Sequence, residues 1–239
     1  SMLYLGYGPL TYKNKKTALS GKCAINCNDS AVLTVSVNSN SPARASEIKK
    51  ALALINLYGT IGGRSRNGWG SVELTGINDA AKEALGNSSP PFHHWKKAMD
   101  IDWPHAIGKD DNGKPLIWQT APRPRWEDVI KLLAEIKIGL RTQFSFPKVK
   151  PPHNNPLERH WLSYPITKHW VRKWGKDARL PNSLRFKIRK TPDGLAGVIF
   201  HVPHLPPAEF SPNKNTIFAV WQKVYGYLDG HNQLKRIGA

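Results

Sequence analysis

The sequence predicts an α+β fold made of two tandem ferredoxin-like (RRM-like, βαββαβ) domains, the first incomplete, over residues 1–87 and 88–239. Three observations predict it. Two β-rich stretches precede a helical pattern at 41–58, which leads through a glycine-rich loop into a short strand at 71–75. A second helical pattern at 126–140 is followed by a hairpin pattern within 184–202 and then a third helix. Of the 239 residues 40% are apolar, enough for one large core or two small ones.

From residue 3 to 10 aromatic residues alternate with glycine, a pattern that suits either the lining of a groove or an irregular entry, with packing the expected role of Tyr4 and Tyr7; a lysine-rich turn follows at 13–16. Residues 18–28 and 31–38 read as strands joined by Asn28-Asp29-Ser30, although Val32 and Thr34 break the alternation of Leu33, Val35 and Val37. Ser41 and Pro42 suit the N-cap and first helical position. Ile48, Ala51, Leu52 and Ile55 then form an apolar stripe, and Gly59 ends the helix. The first strand and helix of this unit are not recognisable.

Residues 86–125 form a proline- and tryptophan-rich connection, with Ser88-Ser89-Pro90-Pro91 as the domain boundary and a strand at 114–120. His93, His94 and His105, with Asp100 and Asp102 nearby, match no metal-site spacing and are expected at the surface or in hydrogen bonds. In the 126–140 helix Trp126, Val129, Ile130, Leu133, Ile136 and Leu140 form the core stripe, with Glu127 and Asp128 in the first turn. Residues 144–156 carry four prolines and read as a surface loop. Leu184, Phe186 and Ile188 alternate with Arg185, Lys187 and Arg189, so one face of that strand is apolar and the other basic. A Thr191-Pro192-Asp193-Gly194 turn returns the chain through 195–202. Asn215 is a candidate cap for the last helix, which ends at Asp229-Gly230 before a short basic end at 234–237.

The net charge is +18 and the isoelectric point about 10.0, which favours a polyanionic partner. The charge is uneven. Residues 1–90 hold 10 basic and 5 acidic side chains, residues 137–190 hold 14 and 2. The latter interleave cations with Trp161, Tyr164, Trp170 and Trp174, a mixture suited to RNA: phosphates take the charge, and unstacked bases lie on rings. At least one of those three tryptophans is expected in the core. No basic amphipathic helix points to a membrane surface, and no apolar run of membrane-spanning length or signal-peptide pattern occurs, so a cytoplasmic location is expected. Cys23 and Cys27 have no second pair to complete a zinc site and are expected to be reduced and partly buried.

The most informative stretch is Gly59-Thr60-Ile61-Gly62-Gly63-Arg64-Ser65-Arg66-Asn67-Gly68-Trp69-Gly70. Gly63 to Gly68 has P-loop spacing, but Trp69 and Gly70 replace the required Lys and Ser/Thr. A dinucleotide fingerprint opens a helix after a strand, the reverse of the order here. Glycines that let the backbone approach a ligand and aim N–H groups at one phosphate, with Arg64 and Arg66 as donors, read as an anion-binding loop; a tight helix-to-strand connection with solvated arginines is the other reading.

Helix, glycine-arginine loop and strand together resemble the RAMP superfamily of CRISPR-associated proteins. Residues 57–74, Tyr4-Leu5-Gly6-Tyr7-Gly8-Pro9-Leu10 and Arg159-His160-Trp161-Leu162-Ser163-Tyr164-Pro165-Ile166 are most similar to the two-domain subunit numbered one of the type III-B Cmr effector complex. The opening strand and basic helix of the family's first domain have no counterpart before Leu3. The resemblance implies a cytoplasmic, non-catalytic RNA-binding subunit in antiviral defense, touching guide or target RNA and other RAMP subunits, without a cofactor, metal or membrane. The implied primary RNA contacts are Gly62, Gly63, Arg64, Ser65, Arg66 and Gly68; Arg159, His160, Lys168, Arg172 and Lys173 are secondary. Two other readings stand beside it. One is a metal-independent endoribonuclease using His160 or His169; the other is an assembly subunit whose aromatics bind neighbouring proteins.

Overall fold

The computed structural model describes residues 2–6, 10–19, 25–27, 29–36, 42–75 and 91–238, and shows a mixed α+β protein. Helix α1 (Met2–Gly6) precedes a hairpin of β1 (Leu10–Lys13) and β2 (Lys16–Leu19). Asn14 and Lys15 in its turn have φ of 50° and 60°, the pair of positive values that a type I′ turn needs. This short hairpin corrects the strands expected at 18–28 and 31–38: residues 29–36 form no strand. Val32 is 95% exposed and Leu33 61%. Apolar residues at consecutive positions give a strand no single face to bury, so the stretch has nothing to gain by joining a sheet.

Helix α2 (Pro42–Tyr58) runs as predicted and stops at Gly59, whose N–H bonds to Ile55 O at 2.7 Å. Ser41, the expected N-cap, lies outside the described residues, as does the boundary expected at 87/88. The expected apolar stripe is not what seats it, since Ala51 and Ile55 are exposed while Ala53 is buried. Residues 71–75 are not the predicted strand. Ser71 alone pairs, with Thr60, and the segment is held by side chains: Ser71 Oγ donates to Gly68 O, and Asn56 Oδ1 accepts from Leu74 N–H.

The 86–125 connection holds structure. Strand β3 (Phe92–His94), the turn of helix α3 (Trp95–Ala98) and β4 (Ile107–Lys109) make a parallel two-stranded unit. Trp95 anchors it in the main core, edge-on to Phe218 and Tyr225 at 5.2 and 5.3 Å.

Strand β5 (Ile117–Thr120), helix α4 (Trp126–Thr142), β6 (Leu184–Thr191), β7 (Gly194–His201), helix α5 (Lys214–Asp229) and β8 (Leu234–Arg236) follow in βαββαβ succession. Their sheet is antiparallel in the order β6-β7-β5-β8, so the first and third strands of the succession lie in its middle. The predicted stripe of α4 is buried against it, apart from half-buried Trp126. The cap of α5 is Asn213, not Asn215: its Oδ1 accepts from Thr216 N–H at 3.0 Å.

Both faces of the sheet are covered. Trp118, Phe186 and Ile199 face the helices, with Leu133, Val220 and Leu228 among the buried residues of that cluster. Ile117, Val198 and Phe200 form a second cluster with Ile107, against which Tyr58 and Phe92 pack. No helix among the described residues is long and apolar enough to cross a membrane. Cys27 is exposed rather than partly buried, and Cys23 lies outside the described residues.

Candidate functional site

The glycine loop sits on the free edge of β6. Asn67 bridges to Phe186, whose N–H donates to Arg66 O at 3.1 Å, and Ile188 N–H donates to Ser71 Oγ at 2.9 Å. Its glycines have distinct jobs. Gly70, at φ 73°, has no room for a side chain, since a Cβ would lie 1.8 Å from Ile61 O. Gly68, at φ 87°, is buried against Ile130 and Leu133, so it serves packing. Gly62, at φ 82°, faces open space, and Gly62, Gly63 and Arg64 are exposed. Ser65 is half-buried and Arg66 exposed.

The basic face of β6 does something the sequence did not show. Lys187 is buried, and its ammonium donates to Ile55 O, Gly59 O and Val72 O at 3.2, 2.7 and 3.1 Å. Arg189 donates to Leu57 O at 3.1 Å and lies over the Tyr58 ring. These two cations satisfy the orphan carbonyls at the negative end of α2. They seat that helix on the sheet, and are spent on the fold.

Other cations have no such partners. Lys137 lies on the stripe of α4, buried, its ammonium 5.0 Å from the Phe186 ring centre and bonded to Asn67 Oδ1. Burial first, then Arg141 and Arg64, push it down to about 7. Arg141, one turn on, lies over the Tyr4 ring at 5.9 Å. Burial and then Arg141 lower the pKa of Arg159, whose guanidinium lies over Phe146 at 5.4 Å. Arg64, Lys137, Arg141 and Arg159 thus form a row of mutually repelling cations. None of them has an ion pair with a carboxylate among the described residues, and the Nε atoms of Arg141 and Arg159 are buried without a partner. Such a row stores a demand for negative charge.

The row joins the two regions that the sequence singled out separately, Arg64 from the loop and Arg159 from the basic aromatic segment. Sequence reasoning missed its middle members, Lys137 and Arg141, and Tyr4, expected to pack, is exposed beside Arg141. A signal was available: Lys137 stands four residues after Leu133, where an apolar residue belongs, and Arg141 follows four later. Arg66 goes elsewhere, to the opposite side of β6, where it helps lower the pKa of Arg185.

His160 is buried with both ring nitrogens engaged, Nδ1 accepting from Leu157 N–H at 2.8 Å and Nε2–H donating to His169 O at 2.9 Å. It holds the segment together and has no surface to offer RNA. His169 stacks on Phe146 at 3.9 Å and 6°, and bonds through Nδ1 to His153 Nε2 at 3.1 Å. Burial, then His153 and Arg159, keep its pKa below the usual histidine value. Lys168, Arg172 and Lys173 are exposed on the same segment, Lys173 bonded to Ser211 Oγ at 2.8 Å. Trp161 and Trp174 are core and Trp170 is half-buried under Lys176.

His94 bonds to Asp111 Oδ1 at 2.8 Å and His105 to Trp103 O at 3.0 Å. No group of three metal-binding side chains occurs among the described residues. Compared with protein-family models, curated proteins and solved structures, the chain matches none.

Proposed function

We propose that the chain is a non-catalytic RNA-binding subunit, of the RAMP kind found in type III-B CRISPR effectors, that holds a single strand along the Arg64–Lys137–Arg141–Arg159 row. The βαββαβ succession and its strand order support a ferredoxin-like reading of residues 117–236. Residues 42–75 then act as a partial first unit docked on the edge of that sheet. The observation that carries the proposal is the row itself: four cations from three separated parts of the chain, without a carboxylate partner among the described residues, beside Tyr4 and the Phe146–His169 stack. Phosphates neutralise the row and bases lie on the rings. The strand does not stack on the sheet, because both sheet faces are occupied.

The test is binding of a labelled single-stranded RNA across a salt series by wild type and Arg64→Glu/Arg159→Glu. Each lost phosphate contact lowers the salt slope by about 0.7, so the double variant loses at least tenfold in affinity and roughly 1.4 in slope. Unchanged affinity and slope refute the row. The bound RNA stays intact without metal. The nuclease reading, with His160 enclosed, rests on His169 beside Arg159, and cleavage abolished by His169→Ala would establish it instead.

A further inference from the structure

On the side of β6 away from α4, the loop and the end of α2 enclose a partly open cavity of about 290 Å³. One wall is apolar: Phe200, with Tyr58 edge-on to it at 5.1 Å and 62°, and Val202. The remaining lining residues are Gly59, Thr60, Ser65 and Arg185, which supply its polar groups. Arg185 Nε is buried with no hydrogen-bond partner, and neither Arg185 nor Arg66 makes an ion pair with a carboxylate among the described residues. Burial and the neighbouring Arg66 push Arg185 down to about 10, the direction expected of a desolvated arginine facing another cation. The other two cations of this face are differently placed, since Lys187 and Arg189 donate to carbonyls of the α2 end and the loop beyond it, although Arg189 Nε is likewise buried without a partner. Of the three, Arg185 lines the cavity.

A half-buried arginine whose Nε lacks a hydrogen-bond partner, opposite an aromatic wall, suits a ligand with an anionic end and a flat apolar end. The volume lies at the small limit of the roughly 300–1,000 Å³ usual for ligand pockets, so it admits one such unit and no more. We propose that this cavity takes a single phosphorylated nucleotide, its phosphate on Arg185 with Arg66 and Ser65, its base against Phe200 and Tyr58. The nucleotide is either free or the phosphorylated end of an RNA strand. The site is separate from the Arg64–Arg159 row and stands or falls independently of it.

Calorimetric titration with adenosine 5′-monophosphate, in the absence of RNA, tests it against adenosine and inorganic phosphate. The nucleotide should bind at least tenfold more tightly than either fragment. Arg185→Gln and the cavity-filling Val202→Phe, each checked for an unchanged circular-dichroism spectrum, should each weaken it tenfold or more. Nucleotide binding no tighter than inorganic phosphate, or binding that survives Val202→Phe in a folded protein, overturns the proposal. A 5′-phosphorylated RNA that binds tenfold more tightly than its 5′-hydroxyl twin, with the difference abolished by adenosine 5′-monophosphate, identifies the ligand as a strand end. Equal binding of the two RNAs, with the mononucleotide still bound, identifies a free nucleotide.

Discussion

RNA binding by this protein should strengthen as pH falls from 8.5 to 7, and Lys137→Met should remove that dependence. Lys137 is the buried centre of the cation row, with its ammonium held near 7 by burial and by Arg141 and Arg64. In the free protein it is therefore about 3% protonated at pH 8.5 and about 50% at pH 7. A phosphate bound to the row reverses the repulsion, raises the pKa and favours the protonated form in the complex. The sign follows: binding takes up a proton, so affinity grows as pH falls through the window between the bound and free values. If the complex requires the charged form, the ratio of those fractions gives about fifteenfold tighter binding at pH 7, or roughly 1.6 kcal/mol. The window lies above the ordinary histidine range, and the shifts at His160 and His169 are downward, so they titrate outside it. Fluorescence anisotropy with a labelled single-stranded RNA at fixed ionic strength reads the effect. Lys137→Met keeps the methylene packing against Phe186 and deletes the charge. Wild type and variant with the same pH dependence over this window would refute the reasoning.

Substitution at two loop glycines separates packing from ligand access: Gly70→Ala drives a Cβ into Ile61 O and should cost more than about 2 kcal/mol, lowering the melting temperature by several degrees. Gly62→Ala meets nothing and should cost only about 1 kcal/mol for its positive φ, so comparable melting of the two would contradict the assigned geometry. His201 is buried between Ser183 Oγ and Tyr225 OH at 2.8 and 2.7 Å, and burial holds its pKa well below the usual value. It stays neutral in the fold but takes a proton below about 6.5 when unfolded, so stability is full above that pH and falls as the solution is acidified. His201→Ala should cost about 3 kcal/mol at pH 7 and flatten the acid side of a melting-temperature series; an unchanged slope would remove His201 from that role.

The second half of the fold was legible because its signals are local. The stripe from Val129 to Leu140, the hairpin around Pro192 and the Asp229-Gly230 stop are each read within one element, and each forms where the pattern puts it. Two of the failures share a cause. The strand pattern around Leu33 and Val35 matched a local preference but had no partner, and a strand exists only by pairing. Lys187 and Arg189 looked like a basic surface because their partners, Ile55, Gly59 and Leu57, lie more than a hundred residues away in sequence. His160 looked like a contact or a catalyst for a different reason: its partners, Leu157 N–H and His169 O, are near in sequence but are backbone groups that no side-chain pattern announces.

Net charge favours a polyanionic partner, and the pairing of each cation within the fold separates those the proposal uses from those it does not. Lys187 and Arg189 have carbonyls, Arg236 has Asp229 and Asp110, and Lys223 has Glu158; their charge is answered within the fold. Arg141 and Arg64 disfavour the charge on Lys137, Arg141 disfavours it on Arg159, and none of the four has a carboxylate partner among the described residues. The glycine loop brings this about through its seat on the β6 edge: Arg64 extends the row on the α4 side, and Arg66 joins Arg185 on the other. Holding cations so close costs folding stability, and a bound anion is what recovers it. Two unanswered cation groups, carried by one loop and divided by one strand, make two separable sites, so charge reversal at Arg64 and loss of Arg185 act on different ligands.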